Sequence, residues 1–181
     1  PQLEKRIEEL STRVLNILLG NYEEKLEIED NNQNKLISTN ILNNIHFVGR
    51  TKELKKIDEL LKQNSKIILH GIGGIGKSEL VNKYLCEHNI DYKNIIFAKY
   101  SNSLEQLIIS ENNFKITNFK RILNNNGELE NDREFFERKL DKIKEISEDE
   151  KTLIVIDNFD TDEDENLETI LNAKYDLIIT S

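Results

Sequence analysis

Apolar residues along the chain repeat with two different spacings, and these repeats predict alternating helices and strands. Spacings of three and four predict amphipathic helices over residues 2–19, 51–63, 77–88 and 132–147, with shorter helices over 103–110 and 164–173. Short apolar runs predict strands over residues 66–70, 95–100, 153–156 and 176–180, and residues 111–131 are predicted to be irregular. Alternating strands and helices favour parallel βαβ units, so we predict a three-layer α/β domain with a mostly parallel central sheet.

Changes in composition and in apolar periodicity divide the chain into three segments. Residues 1–20 contain the first predicted amphipathic helix, which would be either a helix from an upstream domain or effector or a short dimerising coiled coil. Residues 21–45 are rich in Asn and Glu and are predicted to be a linker. Four of its apolar residues suggest a short helical turn: Leu36, Ile37, Ile41 and Leu42. Residues 46–181 contain every predicted strand. The chain starts at Pro1 and ends inside an apolar run, so we expect it to be a piece of a longer protein.

Composition narrows the functional classes. The 181 residues carry 34 acidic and 25 basic side chains, a net charge of −9, which counts against a general nucleic-acid binder. The single cysteine, Cys86, excludes an internal disulfide framework and is typical of a reducing compartment. No apolar run approaches the ~18 residues of a membrane span, so we expect a cytoplasmic protein without a membrane partner.

A glycine-rich segment carries the strongest functional signal. Eight residues directly after the strand predicted over 66–70 match the pattern G-x-x-x-x-G-K-[S/T]: Gly71, Ile72, Gly73, Gly74, Ile75, Gly76, Lys77 and Ser78. Glycines allow successive backbone N–H groups to face a phosphate, and the first turn of the following helix adds further donors. Lys77 is expected to reach the β- and γ-phosphates and Ser78 to bind Mg²⁺. The alternative, a glycine turn with a Lys-Ser pair by coincidence, is disfavoured because only seven glycines occur in the chain.

An acidic residue follows the most apolar of the predicted strands. Asp157 comes directly after Ile156, at the carboxyl end of that strand, where ligands of open α/β sheets collect. We therefore predict that Asp157 holds Mg²⁺ opposite the phosphate loop, although an acid in this position also caps helices and turns. The next residue, Asn158, can orient a water but cannot accept its proton. Asp160 and Asp162 are either solvated loop acids or a displaced base.

The segment Phe47-Val48-Gly49-Arg50-Thr51-Lys52-Glu53-Leu54 resembles the box that opens the ATPase of STAND proteins, in particular the NB-ARC branch. Three further segments are similar to that branch: residues 73–80 of the phosphate loop and the following helix, the strand before Asp157, and the terminal residues 177–181. The resemblance covers about residues 46–181. It implies that the chain is a P-loop NTPase core that binds ATP or ADP with Mg²⁺.

The resemblance also implies individual roles. Val48 and Gly49 would offer backbone groups to the adenine, Arg50 would sit near the nucleotide, and Thr180 would sense the γ-phosphate. The phosphates would be held by the loop and the start of the next helix, residues Gly71, Ile72, Gly73, Gly74, Ile75, Gly76, Lys77, Ser78 and Glu79. Mg²⁺ would be bound by Ser78 and Asp157, and the catalytic groups would be Lys77, Asp157 and Asn158.

For the whole protein, the resemblance implies a switch that is closed with ADP and oligomeric with ATP, fused to an effector, often in defence, and to a sensor. Two departures reduce the expected hydrolysis. Members of the family often have two acidic residues after this strand, and here the second of these positions holds Asn158. The arginine and the lid subdomains that usually follow the sensor strand would lie beyond Ser181. We therefore expect little turnover from this chain. Two alternatives remain: an AAA-type ATPase related to replication initiators, and a nucleotide-binding interaction module that does not hydrolyse.

Overall fold

The structure, a computed structural model, describes residues 35–39, 47–123, 126–161 and 163–181. The strands in these segments are β1 (Leu36–Ile37), β2 (Lys66–Leu69), β3 (Asn94–Lys99), β4 (Lys115–Ile116), β5 (Thr152–Asp157) and β6 (Asp176–Thr180). The α-helices are α1 (Thr51–Asn64), α2 (Lys77–His88), α3 (Leu104–Ile109), α4 (Asp132–Asp149) and α5 (Leu167–Leu171). The helix predicted over residues 2–19 lies outside the described residues.

The central sheet is parallel and has the strand order β2-β6-β5-β3. This confirms the predicted α/β class. All six residues of β5 are buried, because the strand has a neighbour on each side and helices on both faces. The carboxyl ends of all four strands lie at one edge of the sheet, so the residues that follow β2, β5 and β6 come together there.

Helices cover the two faces of the sheet and complete three layers. On one face, α1 and α2 pack through residues such as Leu61 and Leu85 against Leu153 and Val155 of β5. On the other face, α3, α4 and α5 pack against the alternate residues of β5, Ile154 and Ile156. This alternation follows from the two-residue period of a strand. Full burial of one such aliphatic side chain stabilises the fold by about 1.5–3 kcal/mol.

The longest of the described helices, α4, starts at a capping box. The side chain of Asn131 accepts a hydrogen bond from the Glu134 backbone N–H at 3.0 Å, and the Glu134 carboxylate accepts one from the Asn131 N–H at 2.9 Å. Two backbone donors at the start of the helix are satisfied in this way. The apolar face that predicted the helix, including Phe136, Leu140 and Ile143, is buried against the sheet. Local sequence and tertiary packing therefore agree over α4.

The short helical turn predicted around Leu36 and Ile37 is wrong, because these residues form strand β1. Leu36 is buried and Ile37 is exposed, as the alternation of a strand requires. The strand pairs antiparallel with β4, which lies inside the stretch predicted to be irregular. The partner residues come from about 80 positions further along the chain, where sequence periodicity gives no indication of them. Ile41 and Leu42, the other residues of the predicted turn, lie outside the described residues.

Residues 35–39, which we call the strap, also cover the free edge of β3. The Thr39 N–H donates to the Ile95 carbonyl at 2.7 Å, and the Ser38 and Thr39 hydroxyls accept from the backbone N–H groups of Ile95 and Phe97. An open strand edge would otherwise expose unpaired donors. The strap is thus part of the folded unit, although it falls within the predicted linker 21–45. The predicted domain boundaries themselves stay predictions.

Candidate nucleotide-binding site

The predicted phosphate loop connects the end of β2 to the start of α2. Gly74 and Gly76 have φ angles of 79° and 85°, which residues with a Cβ rarely adopt. This backbone turns the chain sharply, so that α2 begins at Lys77. The first backbone N–H groups of α2 therefore lie at the loop, at the positive end of the helix dipole. A loop of this form, at the carboxyl edge of a parallel sheet, suits an anion.

Lys77 directs its ammonium group back over the loop. Its Nζ donates to the carbonyl oxygens of Gly71, at 2.7 Å, and Ile72, at 3.3 Å. These bonds keep a positive charge beside the backbone that would surround a phosphate. Glu79 lies one helical position beyond Ser78 and is exposed.

Ser78 and Asp157 meet at the carboxyl edge of the sheet. The Ser78 hydroxyl donates to Oδ1 of Asp157 at 2.7 Å, across 79 positions of sequence. The Thr180 hydroxyl donates to the same oxygen at 2.6 Å. Asp157 is 7% exposed and Thr180 is 1% exposed. The structure thus brings together three residues that the sequence analysis assigned to one site.

The donor set at this position fits Mg²⁺. A serine hydroxyl has one proton and two lone pairs, so Ser78 can donate to Asp157 and still offer oxygen to a cation. Hydroxyl and carboxylate oxygens are ligands that Mg²⁺ prefers. Within the described residues, no group of three or more His, Cys, Asp or Glu side chains could hold a metal ion. A Mg²⁺ ion here would therefore rely on phosphate oxygens and water for its other ligands, as is usual for this cation.

Arg50 reaches the phosphate loop from the start of α1. Its Nη1 donates to the carbonyl oxygens of Ile75, at 3.0 Å, and Gly76, at 3.3 Å, while its Nε pairs with Glu53 at 3.2 Å. The backbone of Arg50 is left-handed, with φ 57°. The pKa of Glu53 is lowered by a hydrogen bond from its own backbone N–H and by the hydrogen bond from Arg50. Arg50 therefore binds the loop itself, a contact that the sequence analysis did not foresee.

Exposed apolar side chains occur in the loop and in the segment that precedes α1. Val48 is 89% exposed, and Ile72 and Ile75 are also largely open to solvent. Gly49, between Val48 and Arg50, has a φ of 84°. Apolar groups exposed beside polar phosphate donors suit a ligand with a charged end and a flat apolar end.

The end of β6 is tied to the loop through Leu69, His70 and Ser181, residues for which the sequence suggested no individual role. The Gly71 N–H donates to the Ser181 carbonyl at 3.3 Å, and the Ser181 N–H donates to the Leu69 carbonyl at 3.0 Å. The Ser181 hydroxyl lies 3.0 Å from Nδ1 of His70. The parallel register, which places Leu69 beside Thr180, brings these residues together. These contacts could not be predicted from the sequence, because they depend on the register between β2 and β6.

The acids considered as a displaced base have different surroundings. Asp160 is exposed and lines a cavity of about 650 Å³ beside the loops that follow β3 and β5. In the same cavity, Asp164 accepts hydrogen bonds from the Tyr100 hydroxyl and the Leu104 N–H, which gives it a structural role. Asp162 lies outside the described residues. Asn158 is exposed and adopts a left-handed backbone, with φ 61°.

Comparison with known proteins agrees with this geometry. A family model described as the NB-ARC domain matches residues 50–178, well over half of the 181 residues. The matched range includes the phosphate loop and Asp157. A search of curated proteins finds no match to the chain. Among the helices of the described segments, none combines the length and the apolar character that crossing a membrane requires.

Proposed function

Because the chain belongs to the NB-ARC family, whose domains bind nucleotide, we propose that residues 46–181 bind ADP or ATP with Mg²⁺ and form the nucleotide-controlled switch of a signalling protein. One observation carries the proposal. The Ser78 hydroxyl lies 2.7 Å from the Asp157 carboxylate, at the mouth of a glycine loop that opens a helix. That is the arrangement needed to bind a phosphate-bound cation.

The phosphate end of the nucleotide would be held by the loop and α2. Backbone N–H groups between Gly73 and Ser78 are the donors for phosphate oxygens, and Lys77 would exchange its contacts with the loop carbonyls for the β- and γ-phosphates. Mg²⁺, when bound, neutralises phosphate charge. Ser78 would bind it directly, and Asp157 would hold it directly or through water.

The adenine end would lie beside the residues that precede α1. Val48 and Gly49 are both exposed there, and the Val48 side chain offers an apolar surface. Burial of that side chain under a base would remove apolar area from water. Arg50 would act through the phosphate loop, whose carbonyl groups it already binds.

Hydrolysis of bound ATP would be slow in this chain. Asn158 occupies the position after Asp157, and its amide has no useful basicity. A nucleotide-binding module without hydrolysis is therefore the second candidate. In either case the nucleotide state would control self-association and a fused effector, because a ligand that binds one conformation better shifts the population toward it. The proposed setting is a cytoplasmic defence protein.

Substitution of Lys77 by alanine tests the proposal. A charge-assisted hydrogen bond is worth about 1.5–3 kcal/mol, so the affinity for ADP should fall about 10- to 150-fold. Lys83→Ala is the matched control, because Lys83 lies on the same helix and pairs with Glu87 on the surface. Titration calorimetry with Mg²⁺ present should show normal affinity for the control. Equal affinities of wild type and Lys77→Ala would contradict the assignment.

A further inference from the structure

The hydroxyl of Thr180 has two partners and no spare proton. It accepts a hydrogen bond from the Asn158 N–H at 2.9 Å and donates to Oδ1 of Asp157 at 2.6 Å. The directions are fixed, because a backbone N–H can only donate and an ionised carboxylate can only accept. A hydroxyl carries a single proton, so that of Thr180 is committed to Asp157.

The backbone after β5 holds Thr180 on two sides. The Asn158 N–H binds the Thr180 side chain, and the next amide, Phe159 N–H, donates to the Thr180 carbonyl at 2.8 Å. Phe159 is buried and packs edge-on against Tyr100 with ring centroids 4.7 Å apart. Thr180 is therefore clamped between β6 and a turn that is itself anchored in the core.

The turn depends on the left-handed conformation of Asn158. Its φ of 61° is a conformation that Asn adopts more readily than most residues with a Cβ. The Asn158 side chain is exposed, so the residue contributes to the clamp through its backbone. A β-branched residue would strongly disfavour this conformation, whereas glycine would keep it.

We propose that Thr180 is a positioning residue that holds the Asp157 carboxylate in place for Mg²⁺, and that the left-handed turn at Asn158 locks Thr180 in this role. This inference rests on the proposed nucleotide site. It differs from direct sensing of the γ-phosphate, for which Thr180 would have to give up its bond to Asp157. With Ser78 and Thr180 both donating to Oδ1, the carboxylate is oriented from two sides.

The test compares Mg²⁺ dependence in two variants. Thr180→Val keeps the shape and removes the hydroxyl, while Thr180→Ser keeps the hydroxyl. Loss of an outer partner of a metal ligand typically costs 10- to 100-fold in metal affinity. Titration of ADP in EDTA and at increasing Mg²⁺ should show about a tenfold smaller Mg²⁺ enhancement for Thr180→Val. Affinity in EDTA should be unchanged, and Thr180→Ser should restore the enhancement.

A second pair of variants tests the lock without touching the buried hydroxyl. In ADP titrations, Asn158→Gly should keep the Mg²⁺ enhancement of the affinity, and Asn158→Val should reduce that enhancement as Thr180→Val does. Equal enhancement in both would overturn the lock, and this comparison stands even where Thr180→Val does not fold. A wild-type enhancement in folded Thr180→Val would overturn the positioning role.

Three outcomes separate this inference from the proposed function. If Thr180→Val loses discrimination between ATP and ADP but keeps its Mg²⁺ response, Thr180 contacts the γ-phosphate directly and the positioning role is wrong. If wild type binds no ADP under any condition, the proposed nucleotide site fails, and this role fails with it. If ADP binds normally and the Mg²⁺ enhancement is the same in wild type and in Thr180→Val, the positioning role is wrong but the proposed nucleotide site stands.

Discussion

Removal of the Arg50 guanidinium is expected to loosen the phosphate loop before any nucleotide binds. The side chain crosses from the start of α1 and donates through Nη1 to two loop carbonyls, those of Ile75 and Gly76. In Arg50→Ala both contacts disappear, while the Cβ and the left-handed backbone remain. The loop then loses a support that favours the conformation in which its N–H groups can face a phosphate.

The magnitude follows from the geometry. Hydrogen bonds to a charged group contribute about 1.5–3 kcal/mol each. Here one nitrogen serves two acceptors, at 3.0 and 3.3 Å, and the Arg50 side chain is 31% exposed. We therefore expect about 1–2 kcal/mol for the pair, which corresponds to about a 5- to 30-fold loss of affinity for ADP. The free energy of unfolding without nucleotide should fall by a similar amount.

Urea unfolding without nucleotide and titration calorimetry with ADP measure the two effects separately. Arg50→Gly is an informative companion, because it also removes the hydrogen bonds but relieves the left-handed strain, worth about 1–2 kcal/mol. Arg50→Gly should bind ADP as weakly as Arg50→Ala, and its free energy of unfolding should be higher than that of Arg50→Ala. Glu53→Gln removes only the exposed ion pair and should change little.

The result that would refute this reasoning is an Arg50→Ala protein with unchanged stability in the absence of nucleotide. If its affinity for ADP were nevertheless reduced, Arg50 would contact the nucleotide directly instead of supporting the loop. If both quantities were unchanged, the contacts with Ile75 and Gly76 would contribute nothing measurable.

Three other predictions concern the strap, a buried lysine and turnover. Leu36→Ala should lower the free energy of unfolding by about 2–4 kcal/mol because it opens a cavity in the core, whereas the exposed Ile37→Ala should cost much less; similar losses in urea unfolding would contradict a structural strap. Burial lowers the pKa of Lys139 to about 8, so the unfolded chain binds more protons between pH 8 and pH 10 and stability should rise with pH there. Lys139→Met should lack that rise. If the free energy of unfolding depends on pH in the same way in both proteins, the lowered pKa of Lys139 is not the cause. The wild-type chain should release phosphate from ATP far more slowly than about 1 s⁻¹, the lower end of ordinary enzyme rates, and Asn158→Asp should be faster; wild-type turnover near that rate would mean that another group acts as the base.

The sequence by itself determined the parts of this protein whose cause is local. The phosphate loop is set by glycines and a Lys-Ser pair in consecutive positions, and the Gly76 φ of 85° needs no distant partner. The strand before Asp157 is apparent from its apolar run. Because the carboxyl ends of parallel strands share one edge, even the meeting of Asp157 with the loop could be expected from the order of elements.

Only the tertiary structure decided the contacts that depend on register. Leu36 lies opposite Ile116 because the strap pairs with β4 and lies along the edge of β3, and two-residue strands have too few residues for a period to be recognised. The bonds of Thr180 with Asp157 and Asn158 likewise depend on how β6 aligns with β5 and on one left-handed turn. These hydrogen bonds are long-range, and their geometry is set by the packing of whole elements. Because β5 and β6 are buried on both faces, they lack the alternation of apolar and polar residues that would specify their register.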